Sequence, residues 1–325
     1  MEPKIRIGVI GVGRFGMNHA NTYRSMPNVE LVGVADTDAQ AVSRITSRLG
    51  CEGFTEPEKL LPRVEAVSIA VPAIFHRAIA LPFIHAGIHI LMEKPLAVTY
   101  EESLDLVAQA ERAGIVFQVG HLERFSAGVM ALSQRLQRPR FFEVHRLCKF
   151  AERAMDVDVI LDLMIHDIDI VLSLTKSPVT SVSASGTPVV TNHLDIANAR
   201  LEFANGCVAN VTASRVSNKN HRRIRAFDQA HYYALDYGGE ALEVVSARRQ
   251  VRGGEDLSFQ TERIAIRAHP PLLAELQAFI DAVRHDKTPV VSGRDGLEAV
   301  RVAGIIKQKI GNEHFTAHSV FPAHP

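Results

Sequence analysis

The sequence is poor in cysteine: Cys51, Cys148 and Cys207 are the only three, with no CxxC spacing among them. That pattern fits buried or free thiols in a reducing compartment and excludes a disulfide framework or a cysteine-based structural zinc site. Excess charge is missing as well, since Lys+Arg and Asp+Glu both total 36. No bulk field therefore draws the chain to nucleic acid or to an anionic membrane surface. No run of about 18 uncharged apolar residues occurs, so no membrane span is predicted. The segment Lys4 to Val12 reads as a strand carrying two charges and not as a signal peptide. Internal repeats and low-complexity tracts are absent too. Together these absences predict a soluble cytoplasmic protein whose partner is a small molecule.

At 325 residues and 46% hydrophobic content the chain is long for one core, and two domains are expected. Short runs rich in Val and Ile fall at 4–12, 29–35, 66–71, 87–92 and 114–120, with helical stretches between them. Buried runs alternating with helices mark a parallel sheet wound on both faces. We therefore expect an α/β Rossmann domain, a doubly wound parallel sheet, over residues 1–121. An α+β domain with a mostly antiparallel open sheet is expected over 122–325. In the latter, 141–150 alternates like a half-exposed strand, 159–174 is helical and 179–268 is mostly strands and turns. Asn205-Gly206 between alternating segments predicts a type I′ hairpin. Helices near 271–285 and 293–310 close the chain.

Gly11-Val12-Gly13-Arg14-Phe15-Gly16 ends the first run and opens a helix, and Asp36 ends the next run twenty residues beyond Gly16. In that context the glycines are a dinucleotide fingerprint. Gly11 makes the tight turn, Gly13 lets backbone approach the pyrophosphate at the helix N-terminus, and Gly16 allows close helix–strand packing. Arg14 and Phe15 lie inside the loop, where Arg14 is a candidate phosphate contact. Asp36 accepts from ribose hydroxyls and repels a 2′-phosphate, so the expected cofactor is NAD rather than NADP.

Glu93-Lys94-Pro95 follows the apolar run 87–92, at the carboxyl end of a strand where open α/β sheets bind ligands. An ammonium there polarises a substrate oxygen, and Pro95 lowers the cost of a cis peptide. Asp162 and His166, four apart on an otherwise apolar helix, make a second candidate constellation, in which the carboxylate orients the imidazole. An imidazole so held suits a base that takes a hydroxyl proton as hydride leaves the same carbon. Asp162, His166 and Asp169 also follow one helical face and make an alternative metal-binding set, though no metal is expected. For Lys94 the alternative is a surface lysine in a strand–helix turn.

These residues, in this order, resemble the Gfo/Idh/MocA oxidoreductases. The likeness runs through GVGRFGMNHA at 11–20, VPAIFH at 71–76, MEKPLAV at 92–98, Asp162 with His166, and the closing segments PLLAELQAFIDAV and PVVSGRDGLEAVRVA. The resemblance implies that Lys94 and His166 share proton transfer with Asp162 as orienting partner. It also implies that Pro72, His76 and Glu93 join the cofactor site, and that the second domain binds substrate and forms homodimers or homotetramers. Many members carry glycines just before the aspartate of the D-x-x-x-H motif. Here that stretch is Asp158-Val159-Ile160-Leu161, which leaves the pocket's shape open. LDLMIHDIDI and GHLERFSAGV are most similar to members acting on nucleotide sugars, the UDP-N-acetylglucosamine 3-dehydrogenases of lipid A-type amino-sugar biosynthesis in particular. A diphosphate substrate needs cations, for which Arg146, Lys149 and Arg153, then Lys219, Arg222 and Arg223, are candidates. His121, Glu123 and Arg124 are candidates for the sugar pocket. A free polyol such as myo-inositol, or a non-catalytic NAD-binding sensor, remain alternative readings.

Overall fold

The computed structural model describes residues 3–151, 157–237, 239, 241–251, 255–267 and 269–317. The chain begins β1 (Ile5–Ile10), α1 (Arg14–Ser25), β2 (Val29–Ala35), α2 (Ala39–Leu49), β3 (Glu52–Phe54) and β4 (Ala66–Ile69). It continues with α3 (His76–His85), β5 (His89–Glu93), α4 (Tyr100–Ala113), β6 (Phe117–Gly120), α5 (Ala127–Arg135) and β7 (Phe141–Leu147). A five-residue π-helical turn (Ile160–Met164) leads directly into α6 (Ile165–Thr175). Then come β8 (Val179–Thr187), β9 (Ile196–Phe203), β10 (Val208–Ser214), β11 (His221–Phe227), β12 (His231–Asp236), β13 (Ala241–Val251) and β14 (Glu255–Ala265). Helices α7 (Pro271–His285) and α8 (Gly293–Ala317) follow. Among the described residues no helix is long and apolar enough to cross a membrane.

Two compact units result: residues 1–125 with 270–300, and 126–269 with 301–325. The first differs from the expected division at residue 121, because the chain returns to it. Leu276, Phe279, Ile280 and Ala282 of α7 join the core built by Ile5, Ile7, Val29 and Leu31. Beyond α7, Val119 N donates to Val291 O at 3.0 Å, so the returning segment covers the edge at β6. Exposed strand edges invite unwanted pairing, and a returning segment is one way to cover them.

The first unit holds a six-stranded sheet ordered β3-β2-β1-β4-β5-β6, all of whose pairs are parallel. Strand order reverses beside β1, between β2 and β4, which is where such sheets open a crevice for ligands. The short edge strand β3 was not legible in sequence, because Glu52-Gly53-Phe54 has neither length nor an apolar run.

The second unit holds an eight-stranded sheet ordered β14-β13-β12-β11-β7-β10-β9-β8. Among the described residues only β7 and β10 pair parallel; the other pairs are antiparallel. β7 buries Phe142, Val144 and Arg146 and leaves the alternate residues half-exposed, as its sequence alternation predicts. The β9–β10 connection departs from the expected type I′ turn. Gly206 takes a positive φ of 79°, but Asn205 does not. Asn205 Oδ1 accepts from Cys207 N at 3.0 Å while Gly206 N donates to Phe203 O at 2.9 Å. That is a type I turn followed by a left-handed glycine, the three-residue hairpin geometry.

Asp195 closes the β8–β9 connection. Its buried carboxylate accepts from the backbone N–H groups of Val189, Val190 and Thr191 at 2.6–2.8 Å, and from Thr191 Oγ1 at 2.8 Å. Burial works to raise this carboxyl, but the backbone donors outweigh it and hold the group far below the usual range. A depressed native value adds stability above the unfolded value of about 4, and that stability is lost as pH falls below it. Asp195→Asn is therefore expected to lose about 1–3 kcal/mol at neutral pH, with the two proteins converging in acid. Denaturant titrations across pH check this; a gap that does not shrink in acid counts against it.

Candidate active site

In the first unit the fingerprint sits between β1 and α1. Gly11 has φ of 84°, and a Cβ on it would lie 2.6 Å from Ala70 O. A Cβ on Gly16 would lie 1.7 Å from Gly11 O, so only glycine lets α1 approach the turn this closely. Gly13 is different: a Cβ there meets nothing within 4 Å. It caps α1 without a side-chain hydrogen bond, and the first turn of α1 contains no acid. No side chain caps the leading N–H groups of this twelve-residue helix, an arrangement suited to a phosphate.

Beside this helix end lies a cavity of about 410 Å³ lined by Gly11, Gly13, Asp36, Thr37, Pro72 and Phe75, among others. Asp36 Oδ2 accepts from Val12 N at 2.7 Å and Oδ1 from Asp38 N at 2.9 Å, so the fold itself orients the carboxylate at the cavity wall. An acid, an apolar wall from Phe75 and Pro72, and an adjoining uncapped helix suit ribose, base and pyrophosphate in turn. These residues fit a dinucleotide. Arg14 and Phe15 are exposed on the loop. Thr37, Thr55 and Ile79, which sequence reasoning passed over, also line the cavity; no local pattern distinguishes them.

His76 stands apart from that wall. It is fully buried, with Nδ1 3.1 Å from Leu96 O and Nε2 3.0 Å from Val71 O. Burial, against the pull of these carbonyls, lowers its pKa. Its visible work is to tie the turn after β4 to the segment after Pro95. Lys94 is half-buried at the end of β5, and the Lys94–Pro95 peptide is cis. The Glu93 side chain turns inward, where Oε1 meets His19 Nε2 at 3.1 Å and Oε2 accepts from Lys94 N at 3.3 Å. His121 is buried, Glu123 is half-buried, and Arg124 donates to Asp295 Oδ1 at 3.2 Å.

In the second unit, Asp158 starts the catalytic-candidate segment. Its Oδ1 accepts from Ile160 N and Leu161 N at 3.0 Å, and its Oδ2 meets Lys307 Nζ at 2.7 Å. The expected plain helix over 159–174 is instead a π turn over Ile160–Met164 followed by α6. Such widened turns recur at functional sites. From Asp158 to Val171 every residue is buried except Asp162 and His166. Twelve positions face protein, then, and the exceptions are these two ionisable groups. Asp169, the third member of the metal-binding alternative, is 1% exposed.

The cations expected to meet a diphosphate divide. Arg146 is fully buried, and its Nε and Nη2 each donate to the Asp167 carboxylate at 2.8 Å. Its guanidinium lies 5.3 Å from the Tyr237 ring centroid. This is a correction: a bidentate ion pair that joins β7 to α6 accounts for its charge, and a buried pair of this kind loses its balance if one partner turns elsewhere. Lys149, Lys219 and Arg222 are exposed and Arg223 is half-exposed. Arg153 lies outside the described residues.

The strand order, the glycine cradle at its switch point and the acid at the end of β2 define a dinucleotide-dependent oxidoreductase. Residues 5–121 match the oxidoreductase family with an NAD-binding Rossmann fold, and residues 133–231 match the GFO/IDH/MocA C-terminal domain. The chain belongs to the GFO/IDH/MocA oxidoreductase family, and its cofactor is NAD. It is 36% identical to the UDP-N-acetylglucosamine 3-dehydrogenase of Acidithiobacillus ferrooxidans, over 92% of this chain and 97% of that one. The solved structure of that organism's enzyme, GnnA, superposes with a TM-score of 0.88 over 95% of this chain and 98% of the other. The scyllo-inositol 2-dehydrogenase (NAD(+)) of Bacillus subtilis is 29% identical over 91% of each chain.

Proposed function

We propose that this NAD-dependent oxidoreductase oxidises the 3-hydroxyl of UDP-N-acetylglucosamine to a ketone. The observation that carries the reading is the 36% identity to a UDP-N-acetylglucosamine 3-dehydrogenase across nearly the whole of both chains. His166 accepts the hydroxyl proton. Asp162 orients the imidazole, and Lys94 polarises the oxygen as it becomes a carbonyl. NAD, when bound, supplies the acceptor for the hydride that leaves C3. Gly11, Gly13 and Gly16 hold the pyrophosphate against α1, and Asp36 takes the adenosine ribose hydroxyls. His121, Glu123 and Arg124 belong to the sugar pocket in this reading, and the exposed Lys149, Lys219 and Arg222 are the cations available to a diphosphate. A cytoplasmic homodimer or homotetramer that feeds lipid A-type amino-sugar synthesis completes the proposal.

The test is NADH production on a panel of UDP-sugars beside free polyols. Turnover with UDP-N-acetylglucosamine at least about tenfold above myo-inositol is expected, because a site built for polar groups discriminates strongly against ligands that lack them. Preference for a polyol would replace the substrate assignment. NAD binding without turnover on any of them would favour a sensor.

A further inference from the structure

A cluster of ionisable side chains lies wholly inside the first unit, beneath the end of β5. It joins His19 from α1, Glu93 from β5 and Glu275 from α7, whose ring nitrogen and carboxylate oxygens lie within 4.8 Å of one another. His19 is engaged at both nitrogens, by Glu93 Oε1 at 3.1 Å and by Ser68 Oγ at 3.3 Å. Ser68 is in turn 2.8 Å from Tyr23 Oη. Glu93 is engaged at both oxygens, by His19 and by the N–H of Lys94. Gly120 on β6 leaves room for that carboxylate, since a Cβ there would lie 3.1 Å from Glu93 Cδ.

Glu275 is the exception. It is fully buried, and among the described residues neither of its carboxylate oxygens has a hydrogen-bond partner. Its α7 neighbours Leu276 and Phe279 are core residues. The titratable groups facing it are His19 and Tyr23 from α1 and Glu93 from β5, with Lys94 next along the chain. Two carboxylates this close and this dry do not both ionise. Burial, reinforced by the Glu93 charge, pushes the Glu275 carboxyl well above its usual range. Burial pushes Glu93 the same way, but the His19 hydrogen bond and the His19 and Lys94 charges outweigh it and leave Glu93 lowered. Glu93 is the anion of the pair and Glu275 the acid.

We propose that Glu275 is a positioning residue for Lys94: as a neutral acid within 4.8 Å it turns its O–H dipole to the Glu93 carboxylate, which holds the Lys94 peptide. The proposal rests on the reading in which Lys94 polarises the substrate oxygen. It explains why a carboxyl group sits on the core face of α7, 182 residues beyond Glu93 in sequence.

Infrared difference spectra of the full-length protein, wild type against Glu275→Gln at neutral pH, should show a protonated-carboxyl band lost in the variant. Glu275→Gln keeps a neutral donor, so kcat and its pH profile should stay within about twofold. Glu275→Leu keeps bulk but removes the donor. It should lower kcat about tenfold or more, the scale of a small misplacement, with NAD affinity unchanged. With that dipole gone Glu93 holds its charge less firmly, so the acid limb of the kcat profile should move to higher pH. Absence of the infrared band overturns the proposal, as does a Glu275→Leu enzyme with wild-type kcat and pH profile. Stoichiometric divalent metal in the purified protein, lost in Glu275→Gln, overturns it in favour of a His19–Glu93–Glu275 metal site. If Glu275→Leu does not fold, the infrared band and Glu275→Gln kinetics decide. Lys94→Ala with normal turnover removes the underlying reading as well; an inactive Lys94→Ala beside a normal Glu275→Leu removes this proposal alone.

Discussion

Lys94→Ala and His166→Ala are each expected to cut turnover about a hundredfold or more, the scale of a lost acid–base group, while both proteins remain folded. The expectation of intact folding comes from their surroundings. Lys94 and His166 are half-exposed, whereas the residues around His166 from Asp158 to Val171 form the buried face of their segment. Neither side chain is fully buried, so truncating it removes little of the packed core. NAD affinity should change little in His166→Ala, because the glycine cradle and Asp36 belong to the other unit. If the two groups serve one proton transfer, their losses do not multiply, and the double variant should fall little below the worse single one. Rapid-quench or steady-state kinetics with circular dichroism on all three proteins make the comparison. Near-normal turnover in either single variant, or fully multiplicative losses, refutes the shared role.

Gly16→Ala and Gly13→Ala should separate two functions of one loop. A Cβ at position 16 lands 1.7 Å from the Gly11 carbonyl oxygen, and backbone cannot step aside as a flexible side chain would. Overpacking of this sort costs about 1–3 kcal/mol, so Gly16→Ala should lower the melting temperature by several degrees and weaken NAD binding at least about tenfold. At position 13 the same methyl group meets nothing within 4 Å of the protein. Gly13→Ala should therefore melt like the wild type yet bind NAD weakly, because the methyl group would enter the space proposed for the pyrophosphate. Calorimetric melting beside NAD titration reads both. Unimpaired NAD binding by Gly13→Ala would mean that the open corner is not the phosphate site.

Much of this architecture is local in origin. Gly11 to Gly16 and Asp36 reveal a dinucleotide turn because backbone approach and helix packing demand glycine at fixed offsets. The five apolar runs reveal a parallel sheet because strands buried on both faces have no polar side to show. Asp162 and His166 stand out for the reverse reason, as ionisable groups in an apolar helix. Where local signals are weak the reading fails: β3 is three residues long, and an Asn-Gly pair suits more than one hairpin turn.

What the sequence by itself determined is therefore the class of fold and the cofactor, since each is written in residue spacing along single elements. Tertiary structure alone decided which charges are spoken for and which elements share a core. Arg146 looks like a phosphate ligand until β7 and α6 bring it 2.8 Å from Asp167. Glu275 looks like one more helical acid until α7 folds back against β1 and β2 and leaves its carboxyl buried near Glu93. The physical reason is the same in both cases. Burial and pairing are set by residues far away in the chain, and they decide whether an ionisable side chain carries a charge and what that charge holds.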